Sequence, residues 1–221
     1  MLVLIGMLAV FAGFNSSFSF FGDSDFGETP YSYIEATGRG PSKWGQLNPA
    51  WTACGNGRRQ SPIDLRAQKA ESPPTLGDLQ TQYEAADTTI VSRGHDIENV
   101  RGLTLIMVNQ VSWEGNAGNI IIDGDHYNLI QCHWHIPTEH AINGRRYDLE
   151  LHIVHQNSNG TTAVIGILYK LGQPDPFLSR VREVSVKQVE ALRNAVDNVF
   201  KMNARPIQAL NRRTVYLYNS K

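Results

Sequence analysis

Two cysteines, no excess of either charge and no apolar run long enough to cross a bilayer comfortably are the scarcities of this 221-residue sequence. Each excludes something. Cys54 and Cys132 allow one disulfide at most, so the fold must stand on a hydrophobic core and not on cystine bridges. A formal net charge of -1, with no basic stripe, removes the electrostatic case for nucleic acid. No internal repeat is visible. What remains is ordinary globular composition, 41% apolar and 19% charged, in a chain long enough for one good core.

The first stretch, MLVLIGMLAVFAGFNSSFSFFGDSDF, differs from the rest. Leu2 to Phe14 form an apolar run followed by small polar serines, which reads as a secretory leader over residues 1–25. The usual basic residue before such a run is missing, and a membrane anchor or a buried strand are the other readings of it. A leader places the chain in the secretory pathway, with no membrane span once it is removed. Asn159-Gly160-Thr161 is a glycosylation sequon in a polar loop, in keeping with that route.

Residues 26–60 read as loop-rich. From Ile90 to Leu171 short β-branched and apolar runs alternate with turn residues: LTLIMVNQ, VSWEG, NIIIDG, YNLIQCHWH, YDLELHIVH and TAVIGILYKL as strands, DGD and NSNGT as turns. Ser185 and Gln188 form a capping box ahead of Val189, Leu192, Val196 and Val199, whose spacing predicts an amphipathic helix. RTVYLY reads as a last strand. The prediction is one mostly-β domain over 26–221, an antiparallel sheet with peripheral helix.

Five of the seven histidines fall between Gln131 and His155. Asn143-Gly144 is a strong hairpin signal, because a type I′ turn needs positive φ at both central residues. Counting outward from it, Ile142 faces Arg145 and, seven steps on, His135 faces His152. Opposed residues share one face of a sheet, as do residues two apart on a strand. His133, His135 and His152 therefore converge on one face, while Cys132, Trp134, Leu151 and Ile153 point into apolar packing. Three imidazoles suit a tetrahedral Zn²⁺ with one position left open, the ligand count of a catalytic site. Gln131 and Glu150 flank them on the same face and are placed to hold their spare ring N–H groups. The competing reading is that strand histidines are satisfied core or surface residues. His155 falls on the opposite face by alternation and fits that structural role.

These segments resemble an α-class carbonic anhydrase of the plant type. The resemblance is carried by GPSKWGQLNPAWTACGNGRRQSPIDL, SRGHDIENV, QCHWHIPTEHAINGRRYDLELHIVHQ, TAVIGILYKLG, VSVKQVEALRNAV and NARPIQ, from Tyr31 to Tyr218. It implies a zinc enzyme interconverting CO₂ and bicarbonate on a twisted, largely antiparallel central sheet, in an extracellular, apoplastic or plastid setting. By position it makes His133, His135 and His152 the zinc ligands, with Gln131 and Glu150 behind them. His95 becomes a proton shuttle, since an imidazole titrating near neutrality can carry a proton to buffer. Tyr33 becomes a hydroxyl lining the pocket, and Asn203 and Arg205 a stretch packed beneath the metal.

One family segment has no counterpart. After ILYKLG the family continues through a long middle stretch to Ser-Leu-Thr-x-Pro-Pro-Cys; here LGQPDPFLSR passes almost directly to VREVSVKQVEALR, near residues 180–183. The resemblance therefore implies loss of the threonine that orients the nucleophile and takes its cue from Glu139. It also implies loss of an apolar wall for CO₂ and of the cysteine partner of Cys54. Glu139 is then expected unpaired near the metal or turned to solvent, and the sheet is expected to expose edges. Two functions follow: a carbonic anhydrase of impaired turnover, or an inactive zinc-binding, storage or interaction protein on the same scaffold.

Overall fold

Two tight turns have consecutive positive φ values. The computed structural model describes residues 7–11, 31–71, 79–86, 88–91, 110–113, 115–172, 183–184, 186–187, 189–190 and 202–216. In it Asp123-Gly124 has φ values of 52° and 86°, and Asn143-Gly144 has 51° and 80°. Consecutive positive φ values are what a type I′ turn demands, and a glycine at the second position meets them without a Cβ clash.

Eleven strands lie among the described residues: β1 Met7–Phe11, β2 Asp64–Leu65, β3 Gln80–Tyr83, β4 Thr88–Val91, β5 Gln110–Trp113, β6 Gly118–Ile122, β7 Asp125–His135, β8 Ala141–Ile142, β9 Leu149–Gln156, β10 Thr162–Leu171 and β11 Glu183–Val184. Nine form one sheet with the main path β1-β10-β9-β7-β5-β4; β6 joins β7, β3 joins β6 and β11 joins β10. Every pairing along the main path is antiparallel, and only β10 with β11 is parallel in this sheet. The mostly-β, largely antiparallel fold expected from the sequence is observed.

Alternation gives the central strands two unlike faces. On one, Trp134 and Ile136 of the β7 end pack with Leu149, Leu151, Ile167, Tyr169 and Val189, and Leu149 and Tyr169 have no exposed surface. Ile120, Ile122, Tyr127, Ala163 and Ile165 make a second cluster. Fully burying a side chain of this size stabilises by about 1.5–3 kcal/mol. The opposite face carries His133, His135 and His152.

Several expectations meet a different structure. The main path of the sheet ends at β1 and β4, and β10 is lined by β1 from Met7↔Gly166 to Phe11↔Thr162 and by β11 at Lys170↔Glu183 and Leu171↔Val184. The covering strand comes from within the expected leader, so removing residues 1–25 would strip it and leave β10 unpaired there. Of the C-terminal helix, Val186, Lys187, Val189 and Glu190 are helical and the rest lies outside the described residues. Among the described residues the last expected strand contributes one isolated parallel bridge, Tyr216 with Glu71. Among the described residues no helix is long and apolar enough to cross a membrane.

Candidate metal centre

His133 stands directly opposite His152 across β7 and β9, and His135 stands opposite Glu150. This corrects the predicted pairing of His135 with His152. The turn does pair Ile142 with Arg145, but seven residues separate His135 from Ile142 and only five separate Arg145 from Glu150. The longer arm holds the cis Ile136-Pro137 bond and residues outside the ladder. A shift of two residues changes partners and keeps faces, because side chains alternate with period two. The three histidines still share one face, with ring centroids 4.7–5.2 Å apart.

Each ring is fixed from behind by an acceptor. His133 Nδ1 donates to Gln131 Oε1 at 2.9 Å, His135 Nδ1 to the Asn203 carbonyl at 2.8 Å, and His152 Nε2 to Glu150 Oε1 at 2.9 Å. A neutral imidazole that donates from one nitrogen offers a lone pair on the other. His133 Nε2, His135 Nε2 and His152 Nδ1 are thereby left as ligand atoms, and one ligand atom from each of the three lies within 4.8 Å of the others. His135 Nε2 is buried with no hydrogen-bond partner, a costly state in a dry interior. A cation removes that cost, and the donor set fits zinc.

Electrostatics favour the same reading at His133 and His135. Burial pulls the His133 imidazole well below its ordinary pKa, helped by the neighbouring His135 and His152, and burial likewise lowers His135. Both rings are thus neutral, as ligands must be. At His152 burial also acts downward, but the hydrogen bond and charge of Glu150 outweigh it and the pKa rises. For Glu150 burial alone would raise the carboxyl; hydrogen bonds from His140 and His152 overcome it and hold the group anionic.

One support, His140, escaped the sequence reading. Buried His140 donates Nδ1–H to Glu150 Oε1 at 2.7 Å and its backbone N–H to Oε2 at 2.9 Å, while its Nε2 meets Ser61 Oγ at 3.0 Å. His140 lies in the irregular stretch after Pro137, where alternation says nothing of direction. Asn203 locks the end of β7: Oδ1 accepts from Ile136 N–H at 2.8 Å and Nδ2 donates to the Trp134 carbonyl at 3.1 Å. The placement of Asn203 beneath the site, implied by the resemblance, is therefore real, though its backbone carbonyl holds His135.

Glu139 is neither unpaired nor turned to solvent. Its Oε1 accepts the Arg205 backbone N–H at 2.9 Å, and its Oε2 lies 3.6 Å from His135 Nε2. Arg205 is anchored in turn by donating to Gln60 Oε1, the Ser61 carbonyl and the Cys54 carbonyl. Tyr33 stands with its ring 5.2 Å from Trp44, its hydroxyl pKa raised by burial and then by the charge of Glu139. His95 lies outside the described residues. Cys54 and Cys132 are not joined in a disulfide. Asn159 is exposed in the turn between β9 and β10.

His155 lies away from the metal face, as alternation predicts. It is buried, and its Nε2 meets the Tyr83 hydroxyl at 2.9 Å. Burial lowers its pKa to about 4. Between that value and the ordinary 6.5 the unfolded chain binds a proton that the folded chain does not, so stability falls as pH drops through this window. The metal-free protein should lose about 2 kcal/mol from this group between pH 7 and 4, after allowance for solvent screening. Urea melts should show it, and His155→Gln should flatten the pH dependence. An unchanged slope in that variant would assign the loss to other groups.

The sequence model described as eukaryotic-type carbonic anhydrase matches residues 39–175. Alpha carbonic anhydrase 4 of Arabidopsis thaliana is 37% identical over 245 residues, covering 87% of this chain and 87% of the relative. Among solved structures, dioscorin complexed with ascorbate superposes with a TM-score of 0.74 at 31% identity, covering 84% of this chain and 96% of that one. The α-carbonic anhydrase of Thermovibrio ammonificans, in complex with sulfanilamide, gives 0.69 at 25% identity, covering 87% and 99%.

Proposed function

The chain belongs to the eukaryotic-type carbonic anhydrase family, and we propose that it is a slow, zinc-dependent carbonic anhydrase interconverting CO₂ and bicarbonate. One observation carries the reading: ligand nitrogens of His133, His135 and His152 gather within 4.8 Å, and the other nitrogen of each ring is tied to an acceptor. Zinc, when bound, lowers the pKa of a coordinated water to about 7, a value established on carbonic anhydrase itself. The chain's own part is to hold His133 and His135 neutral, to fix the tautomers of all three rings through Gln131, Asn203 and Glu150, and to place a carboxylate, Glu139, beside His135. The alignment with the Arabidopsis relative is longer than this whole chain, which supports a segment absent here. Loss of a residue that positions the nucleophile accounts for slow turnover. An exposed Asn159 supports a secreted, glycosylated form.

Stopped-flow CO₂ hydration on zinc-loaded protein, with and without chelator, tests the activity. Slow hydration abolished by chelator is expected; a rate equal to the uncatalysed one and indifferent to chelator would overturn it. That second outcome would favour an inactive binding or storage protein, a reading supported by the likeness to dioscorin. His95 is assigned proton export. His95→Ala should keep its zinc and lose rate, and small imidazole buffers should restore part of it. Loss of zinc in that variant would remove His95 from this role.

A further inference from the structure

We propose that basic residues from three separate segments form one face that binds a carboxylated polysaccharide, a polyuronate chain. Residues 58–69, 143–146 and 205–213 hold nine arginines and lysines against one carboxylate, Asp64, so nearly half of the chain's 20 basic residues meet one of its 21 acidic ones. The near-zero net charge conceals this, because the cations are divided among three stretches far apart in sequence. Folding joins the stretches. β2 runs parallel to β8 at Asp64↔Ala141 and Leu65↔Ile142, and the Asn143 N–H donates to the Leu65 carbonyl at 2.9 Å, which sets the hairpin that carries Arg145 against residues 64–65. Arg213 donates to the Gln60 carbonyl at 2.7 Å, and Asn211 Nδ2 to the Arg58 carbonyl at 3.0 Å. Arg205 donates to Gln60 Oε1 and to the Ser61 carbonyl, both at 2.8 Å, and its own carbonyl accepts from Arg146.

These bonds end on carbonyl and amide oxygens, which orient the guanidinium groups without cancelling their charge. Asp64 is already committed, its Oδ1 to the Gly144 N–H at 2.7 Å and its Oδ2 to Arg66 Nε at 2.9 Å. Arg58, Arg59, Arg66, Arg145 and Arg212 are exposed around this frame. Burial and then the charge of Arg59 lower the Arg213 pKa, a sign of like charges crowded together that a bound polyanion relieves. The chemistry of the face selects the polyanion. Guanidinium forks match carboxylates with two parallel hydrogen bonds. An open pocket of about 360 Å³ lined by Arg66, Gln68 and Asn143 offers side-chain amides to sugar hydroxyls. None of the three segments contains an aromatic residue on which a nucleobase could stack. The choice of an extracellular polymer rests on the secreted reading above; neither the metal nor CO₂ hydration enters it.

The test titrates the full chain with polygalacturonate at low and high salt. Binding is expected at low salt and should weaken steeply as salt rises, since it is carried by exposed charge. Reversing three exposed arginines together, Arg58→Glu, Arg145→Glu and Arg212→Glu, should weaken it at least about tenfold, while Lys187→Glu, an exposed site outside the three segments, should leave it unchanged. Arg205 and Arg213, which tie the segments together, are left in place. If the triple variant fails to fold, Arg212→Gly decides by the same titration: glycine suits the φ of 64° at this position, so a weaker affinity there reports the lost charge and not a damaged turn. No binding by the unsubstituted chain, or equal affinity in the triple variant and the Lys187 control, would overturn the proposal. Duplex DNA or phosphatidylserine vesicles bound as tightly as polygalacturonate would overturn the assignment to a carboxylated polysaccharide.

Discussion

Replacing His133, His135 or His152 by alanine should each lower zinc affinity by more than about 100-fold, since changes behind the ligands already cost 10–100-fold. The expectation follows from the geometry: every ring is oriented by a separate acceptor, so no neighbouring imidazole is free to substitute for a lost one. Glu150→Gln should fall in the lower range. Its carboxylate accepts from His152 and twice from His140, and a buried amide cannot accept all three without turning its own N–H toward a donor. Atomic absorption after dialysis against a mild chelator reads both effects. Full zinc content in all three alanine variants would remove these histidines from the metal, whatever the family resemblance.

That prediction could be framed from the sequence because the property it needs is robust. The sequence placed His135 opposite His152; the structure places Glu150 there and pairs His133 with His152. The error is two residues, and two is a full period of a strand, so each side chain stayed on its assigned face. A shift of one would have sent the histidines into the apolar cluster around Leu149 and Tyr169. The bulge between Leu129 and Gln131 lies beyond the ligands and leaves them aligned.

Where periodicity stops, so did the reading. His140, Glu139 and Asn203 lie in irregular segments, and each is placed by contacts between distant parts of the chain: Ser61 to His140, Arg205 to Glu139, Trp134 to Asn203. Nothing local encodes such pairings. The expectation that Glu139 would be stranded came from naming one absent partner, a threonine, without seeing that a backbone N–H held the other oxygen.

A version of this chain carrying the family's Ser-Leu-Thr-x-Pro-Pro-Cys segment should hydrate CO₂ about 10²-fold faster than the chain as it stands, when both are zinc-replete. Misplacing a reacting group by ~1 Å costs about that much. The structure gives the loss a local form. Glu139 Oε1 is committed to Arg205, while Oε2 lies beside the metal-facing nitrogen of His135. A hydroxyl supplied by the segment would take Oε2 as its acceptor and aim the nucleophile by the same bond. The wall and the hydroxyl are separable. Restoring the segment with alanine in place of its threonine returns the apolar wall without the hydroxyl, so the rate should stay low. Restoring it with the threonine should raise the rate. Equal, chelator-sensitive rates in the chain as it stands and in the restored form would show that the segment is dispensable, and that slow turnover has to be sought elsewhere in the site.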